Sequence, residues 1–241
     1  MSAPIVLNTR PRGQAAELSK LLTAAGFAAV EAPAIEVVRA WDAADLSAAR
    51  EGLRAGRFGW VILASQNAGR SLVGDLGQAR VVCGTATATA FGLQPDVRLD
   101  RFSAAAALDA LGPRLTPGDH ILAPRAAEGR DELVEGLQAL GVDVTAPVAY
   151  RTVATDTVAL TSALRGRLFD AITVCSPSAL AALLTADLRA ELESSALVCL
   201  GETTADAARA AGLRVAGVAA STSMPALVAA VATVIQSEAA A

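Results

Sequence analysis

The chain has 241 residues, 53% of them hydrophobic, 18% charged and only 3% aromatic. That length accommodates one large domain or two small ones, either able to bury a sizeable core. A formal net charge of -4 and a pI near 5.1 exclude the extended basic surface that a general nucleic-acid or anionic-membrane binder needs, though not a local basic cleft. Nearly all the cations are arginine, with Lys20 the one lysine, and together with the high alanine content this reflects genome composition rather than function.

The first thirty-odd residues read strand, turn, helix, strand. Ile5-Val6-Leu7 is a short apolar run broken at Arg10-Pro11. Leu18, Leu21 and Leu22 then recur at helical spacing until Gly26 stops the helix, and Val30 to Val38 supplies the next strand. Further on come Trp60-Val-Ile-Leu-Ala-Ser-Gln-Asn-Ala-Gly69 and Val82-Cys-Gly-Thr-Ala-Thr-Ala88. The first unit then returns: Ile121-Leu122, Arg125, Leu133 and Leu137 at helical spacing, Gly141, and Val142 to Val144. The pairs Arg10/Arg125, Glu17/Glu132, Leu18/Leu133, Leu22/Leu137 and Gly26/Gly141 all lie 115 residues apart, which makes an internal repeat. The later segments return as well. Ala171 to Leu180 matches Trp60 to Gly69, pairing Ser176 with Ser65, and Cys199 to Ala205 matches Val82 to Ala88, pairing Thr204 with Thr87.

Strands alternating with helices predict an α/β fold of two similar domains, each a parallel sheet flanked by helices. Val37–Trp41 and Val148–Val153 are β-prone stretches at equivalent points of the repeat, suited to a paired two-strand hinge. On that reading residues 1–36 and 155–241 form one domain from both chain ends. Residues 42–147 form an inserted domain, with 37–41 and 148–154 as the hinge strands.

Cys83, Cys175 and Cys199 match no metal or redox spacing and lie in or at the end of apolar runs, so they read as buried free thiols. The N-terminal segment is too polar for a signal peptide. The uncharged run Val215 to Ser237 is broken by Ser221, Thr222, Ser223 and Pro225, which points to a strand, a turn and a terminal helix rather than a membrane span. A cytoplasmic protein is expected.

No phosphate-binding glycine loop, dinucleotide fingerprint or metal-ligand cluster is present, and the lone His120 sits at a strand start, which disfavours a serine–histidine triad. What recurs is a set of small hydroxyl residues where strands become helices: Ser65, Thr85, Thr87, Ser176, Ser178, Thr203, Thr204 and Ser221 to Ser223. Helix N-termini expose unpaired N–H groups that favour anions. Each of these residues is equally an ordinary N-cap, and it is the recurrence of the set that points to binding. Arg10, Arg12, Arg125, Arg130 and Arg151 stand in the corresponding loops, where guanidinium groups match carboxylates or phosphates, or else simply face water. Tyr150, the only tyrosine, falls in the hinge segment, either packed or facing a ligand.

These residues in this order resemble a uroporphyrinogen-III synthase. The segments that carry the likeness are Thr9-Arg-Pro11, Trp60 to Ser65, Gly84 to Ala88, Ile121 to Arg125, Tyr150-Arg-Thr152, Ser176-Pro-Ser178 and Gly201 to Ala205. The resemblance implies a bilobal protein with a flexible β-ladder and an active site between two α/β domains. It also implies cyclisation of the linear tetrapyrrole hydroxymethylbilane, with inversion of the last pyrrole, without metal or organic cofactor. By position, Arg10, Ser65, Thr87, Arg125, Ser176, Thr203 and Thr204 would bind substrate carboxylates, and Tyr150 would assist loss of the substrate hydroxyl. The expected partner is that small molecule alone, bound by a monomer, with transient contact to hydroxymethylbilane synthase. Two departures stand out. The family commonly has Ser-Pro where this chain has Ser65-Gln66, so that loop should differ in shape. Gln94-Pro95 should also make the helix after Thr87 about a turn shorter than its repeat after Thr204. The same composition and repeat fit a non-catalytic bilobal binder of a polycarboxylate or phosphorylated ligand, and the resemblance alone favours the enzyme.

Overall fold

The computed structural model of the chain describes residues 3–239. It divides into two compact units, one made of the described residues up to Glu36 and from Val153 onward, the other of Val37–Thr152. The first unit opens with β1 (Ile5–Asn8), α1 (Arg12–Ala24) and β2 (Ala28–Glu31), and the chain leaves it along β3 (Ile35–Arg39). The second unit contains α2 (Ala43–Arg54), β4 (Trp60–Leu63), α3 (Gln66–Gly69), β5 (Arg80–Gly84), α4 (Thr85–Phe91), β6 (Val97–Leu99) and α5 (Ala104–Leu111). It continues with β7 (His120–Leu122), β8 (Arg125–Ala126), α6 (Glu132–Ala139) and β9 (Asp143–Thr145), and ends along β10 (Val148–Ala154). The first unit then resumes with α7 (Thr157–Leu164), β11 (Ala171–Val174), α8 (Pro177–Thr185), α9 (Arg189–Glu193), β12 (Ala196–Cys199), α10 (Glu202–Ala210), β13 (Val215–Val218) and α11 (Met224–Ala239).

Each unit is built on a five-stranded sheet. The orders are β2-β1-β11-β12-β13 in the first and β9-β7-β4-β5-β6 in the second, and every pairing is parallel. Under the sequence repeat β1 corresponds to β7, β2 to β9, β11 to β4, β12 to β5 and β13 to β6, so the two orders are the same. Numbered along its own chain the first sheet runs 2-1-3-4-5, a doubly wound order, and the second is its circular permutation. The expected connecting strands pair in a separate sheet, β3-β10-β8, to which β8 adds a third strand that the sequence did not suggest.

Parallel strands covered on both faces should be largely apolar, and the central ones are, with Asn8 and Thr173 as buried polar exceptions in β1 and β11. All four residues of β4 and of β11 are buried. Alternate residues feed different layers. In the first unit Leu7, Ile172, Val174 and Leu197 pack with Leu160, Leu180 and Leu183. On the other face Val6, Ala171 and Val198 pack with Leu18, Leu22, Leu227 and Val231. In the second unit Val61, Leu63 and Leu122 meet Leu46 and Leu53, while Trp60, Ile62 and Ile121 meet Leu111 and Leu137. Burial of each such large side chain stabilises the fold by roughly 1.5–3 kcal/mol.

The repeat also explains how the helices end. Gly26 and Gly141 close α1 and α6 with φ of 89° and 78°, a left-handed conformation that only glycine adopts without strain. The uncharged run from Val215 resolves into β13, a turn and α11. Among the described residues no helix is long and apolar enough to cross a membrane.

Candidate active site

In a doubly wound sheet, ligands bind beyond the carboxyl ends of the strands, where the strand order reverses. In the first unit that point lies between β1 and β11, and in the second between β7 and β4. The residues that follow these four strands include Arg10, Ser176, Arg125 and Ser65, all singled out by the sequence repeat.

In the first unit the loop after β1 is anchored from below. Asn8 and Thr9 are fully buried yet satisfied. The Asn8 amide donates to the Ala15 carbonyl and to Ser19 Oγ, both at 3.0 Å, and its carbonyl accepts the Arg10 N–H at 3.1 Å. Thr9 Oγ1 donates to the Thr173 carbonyl at 2.7 Å, and Thr173 Oγ1 returns a bond to the Leu7 carbonyl at 2.8 Å. Buried groups paired in this way rigidify a loop, because breaking any one bond strands its partner. The anchored loop presents Arg10, whose guanidinium rests on Met224 Sδ and donates to Gln14 Oε1 at 3.1 Å. No carboxylate pairs with Arg10 among the described residues, so its charge is available to an anion.

Across the reversal point, Ser176 caps α8 by accepting the Ala179 N–H at 3.2 Å. Gly201 begins α10 with no side-chain cap. Thr204 on α10 is only 4% exposed, and its hydroxyl has no hydrogen-bond partner among the described residues. Thr203 beside it is exposed. Ser223 caps α11 through the Ala226 N–H at 3.3 Å and pairs with Ser221 Oγ at 3.1 Å.

The second unit carries the same parts with different attachments. Ser65 caps α3 through the Ala68 N–H at 3.2 Å, and its oxygen also lies 3.2 Å from the Tyr150 phenol. Tyr150 is half-buried on β10, against the core that includes Trp41 and Ala149. Thr87 on α4, like Thr204, is nearly buried, at 5% exposure, with no partner for its hydroxyl among the described residues. Thr85 Oγ1 donates to the Leu99 carbonyl at 3.3 Å.

Arg125 differs from its repeat mate. It donates to the carbonyls of Gly129 at 2.9 Å and Ala126 at 3.4 Å and is ion-paired with Asp131. The same loop is laced to β10 by the Ala127 N–H on the Tyr150 carbonyl, at 2.8 Å. Arg125 thus holds the loop beside Tyr150, whereas Arg10 is the freer cation. Arg130 pairs with Glu132 at 3.2 Å, and Arg151 is exposed.

The two departures from the family pattern are visible. α3 is a four-residue turn where its repeat α8 has nine residues. Pro177 at N1 presets the helical φ of α8, an aid that Gln66 does not give α3. α4 has seven residues against nine in α10, a difference of two residues where about a turn was expected.

Cys83 and Cys199 are buried as the sequence suggests, whereas Cys175, between β11 and Ser176, is only partly buried. His120 is exposed at the opposite, N-terminal end of β7, 2.7 Å from Asp143. Burial pushes the Cys175 thiol up to about 11, with Arg10 acting the other way. Burial also pushes Cys199 up to about 12, against the pull of Arg209. Cys83 moves in the same direction for the same reason. Thiols held protonated are poor nucleophiles, and all three are free.

Sequence reasoning missed the Ser65–Tyr150 contact, which joins residues 85 apart. It also missed the polar anchor at Asn8, although an asparagine closing an apolar strand just before Arg10 was a usable signal.

Comparison with known proteins bears on all of this. A family model described as uroporphyrinogen-III synthase HemD matches residues 16–229. The chloroplastic uroporphyrinogen-III synthase of Oryza sativa subsp. japonica is 30% identical over 234 residues, covering 88% of this chain and 74% of that protein. Among solved structures, a mutant uroporphyrinogen III synthase from the extremely thermophilic bacterium Thermus thermophilus aligns with a TM-score of 0.60 and 19% identity, over 98% of this chain and 100% of that one. The uroporphyrinogen-III synthetase from Helicobacter pylori aligns with a TM-score of 0.61 and 17% identity, over 96% and 99%. At such identities the structures attest the two-domain fold.

Proposed function

Because the chain belongs to the uroporphyrinogen-III synthase family, we propose that its two strand-end rims bind the carboxylates of one linear tetrapyrrole while Tyr150 assists departure of the substrate hydroxyl. The reaction is the family's own. Hydroxymethylbilane is cyclised with inversion of its terminal pyrrole ring and loss of water, a lyase step of tetrapyrrole and heme biosynthesis.

In our reading Arg10, Ser176, Thr203 and Thr204 bind carboxylates at one rim, and Ser65, Thr87 and Arg125 belong to the other. Arg10 supports this most directly, being a cation held by a buried polar anchor and lacking an acidic partner among the described residues. Its fork matches a carboxylate, and the neighbouring N–H groups of α8 and α10 favour the same charge. Such rims suit a polycarboxylate even though the whole chain is acidic. The bilane also closes unaided to the uninverted isomer. The work of the protein is therefore to hold a flexible chain in one reactive geometry and to stabilise charge as hydroxide leaves. We further place the protein in the cytoplasm, where three thiols stay free, as a monomer that meets hydroxymethylbilane synthase only transiently.

The test is an isomer analysis. Purified protein receives freshly generated hydroxymethylbilane, the products are oxidised to porphyrins, and isomers I and III are separated by chromatography. We expect a shift from isomer I to isomer III. Isomer I alone, at the rate without protein, would overturn the assignment and leave a non-catalytic polycarboxylate binder.

A further inference from the structure

The repeat makes Ser65 and Ser176 equivalent, and their backbones are nearly the same, with φ, ψ of -154°, 163° and -154°, 155°. Both cap the following helix through an N–H three residues on, at 3.2 Å. They differ in what else meets the hydroxyl. Tyr150 Oη lies 3.2 Å from Ser65 Oγ. The residue 115 positions before Tyr150 is Ile35, a buried aliphatic chain that offers Ser176 no such partner. Only one copy of the repeat therefore ties its capping serine to a phenol.

From this asymmetry we infer that Ser65 is a positioning residue for Tyr150 rather than a contact for substrate carboxylate; the inference rests on the reading of Tyr150 given above. A serine hydroxyl has one proton to give and two acceptor positions. The Ala68 N–H occupies one acceptor position of Ser65, either oxygen of the Ser65–Tyr150 pair can donate, and in the inferred arrangement the Ser65 proton goes to the Tyr150 oxygen. The phenol proton is left free to point at a third group. The relay runs from the Ala68 N–H through the Ser65 O–H to the Tyr150 O–H, and each bond polarises the next in the same sense. Its base is rigid, because Ser65 follows a strand whose four residues are all buried. Ser176, with no phenol to serve, keeps its hydroxyl for the ligand.

The experiment compares Ser65→Ala, Ser65→Thr, Tyr150→Phe and the double variant Ser65→Ala/Tyr150→Phe in steady-state synthesis of isomer III. Circular dichroism verifies that each variant is folded. Since Tyr150 is the only tyrosine, 3-fluorotyrosine incorporated biosynthetically gives one ¹⁹F resonance that reports on this ring alone. We expect Ser65→Ala to lower kcat about tenfold, the worth of one hydrogen bond, while KM stays within about twofold. Ser65→Thr, which keeps both cap and hydroxyl, should restore kcat. The double variant should be no slower than the slower single one, and the ¹⁹F resonance should move in Ser65→Ala but not in Ser65→Thr. A raised KM with unchanged kcat in Ser65→Ala would overturn the inference in favour of direct substrate contact. Additive losses or an unmoved resonance would overturn it too. Full activity in Tyr150→Phe would remove the reading of Tyr150 beneath it, and that failure is distinguishable because the resonance would still respond to Ser65→Ala.

Discussion

A phenol that only helps a hydroxyl depart is useful without being indispensable, because positioning carries most of the task. Tyr150→Phe keeps the ring packed against the Trp41 and Ala149 core and removes one donor. It should slow formation of isomer III about tenfold, the scale of a single hydrogen bond. An obligatory general acid would cost roughly a hundred- to ten-thousand-fold, and loss of that size in a folded variant would contradict the positioning view. The threonines make a second case. Thr204 is almost buried at a repeat-matched position, with no partner for its hydroxyl among the described residues, whereas Ser178 is exposed as the second residue of α8. We therefore expect Thr204→Ala to lower kcat/KM more than Ser178→Ala. Equal effects in a steady-state assay would show that the repeat position carries no functional weight.

Several helices in this protein begin at the proposed rims, so under that proposal one atom would serve as both cap and ligand contact. Ser176 allows the two roles to be separated, because glycine at an N-cap costs only a few tenths of a kcal/mol relative to serine. Ser176→Gly should leave the unfolding free energy nearly unchanged and raise KM severalfold. An unchanged KM would reduce Ser176 to a cap. The turns between elements can be weighed in a similar way. Gly77 and Gly92 both have left-handed backbones, with φ of 60° and 62°. A Cβ on Gly77 would lie 2.6 Å from the Leu53 carbonyl oxygen at the end of α2, whereas one on Gly92 would meet nothing within 4 Å. Gly92→Ala should cost only the left-handed strain, about 1–2 kcal/mol. Gly77→Ala should cost about 1–3 kcal/mol more, because backbone must move. Equal denaturation midpoints for the two variants would refute this account of the α2 turn.

At the scale of the whole molecule, the sequence repeat carried the architecture a long way. Five residue pairs at one offset foretold two similar α/β domains, whose sheets prove to share a strand order, and turn glycines at 26 and 141 marked where their helices end. Local periodicity is legible because the chemistry that sets it is local. What stayed hidden depends on contacts between distant segments. The third strand of the connecting sheet is only two residues long. The engagement of Arg125 by its own loop, unlike that of Arg10, follows from Gly129 and Asp131 rather than from anything at position 125. The three cysteines lay between these cases, since apolar flanks announced burial while its consequence emerges only from the assembled cores. Their folded thiols titrate above the ordinary 9.0 because burial disfavours the thiolate, Cys175 at about 11 and Cys199 at about 12. In the unfolded chain the thiols ionise near 9, so alkali draws protons from that state first and favours it. The stabilisation is complete below pH 9 and is lost as pH rises from there through the folded values. Each of these two thiols should cost roughly 1 kcal/mol of stability between pH 8 and pH 10. Both lie in the first unit, so that unit should loosen first. Unfolding free energies measured across this range should fall steeply, and Cys175→Ala should fall less steeply than the parent by about one thiol's share. Parallel curves for parent and variant would show that the Cys175 thiol is no better protected in the fold than in the unfolded chain.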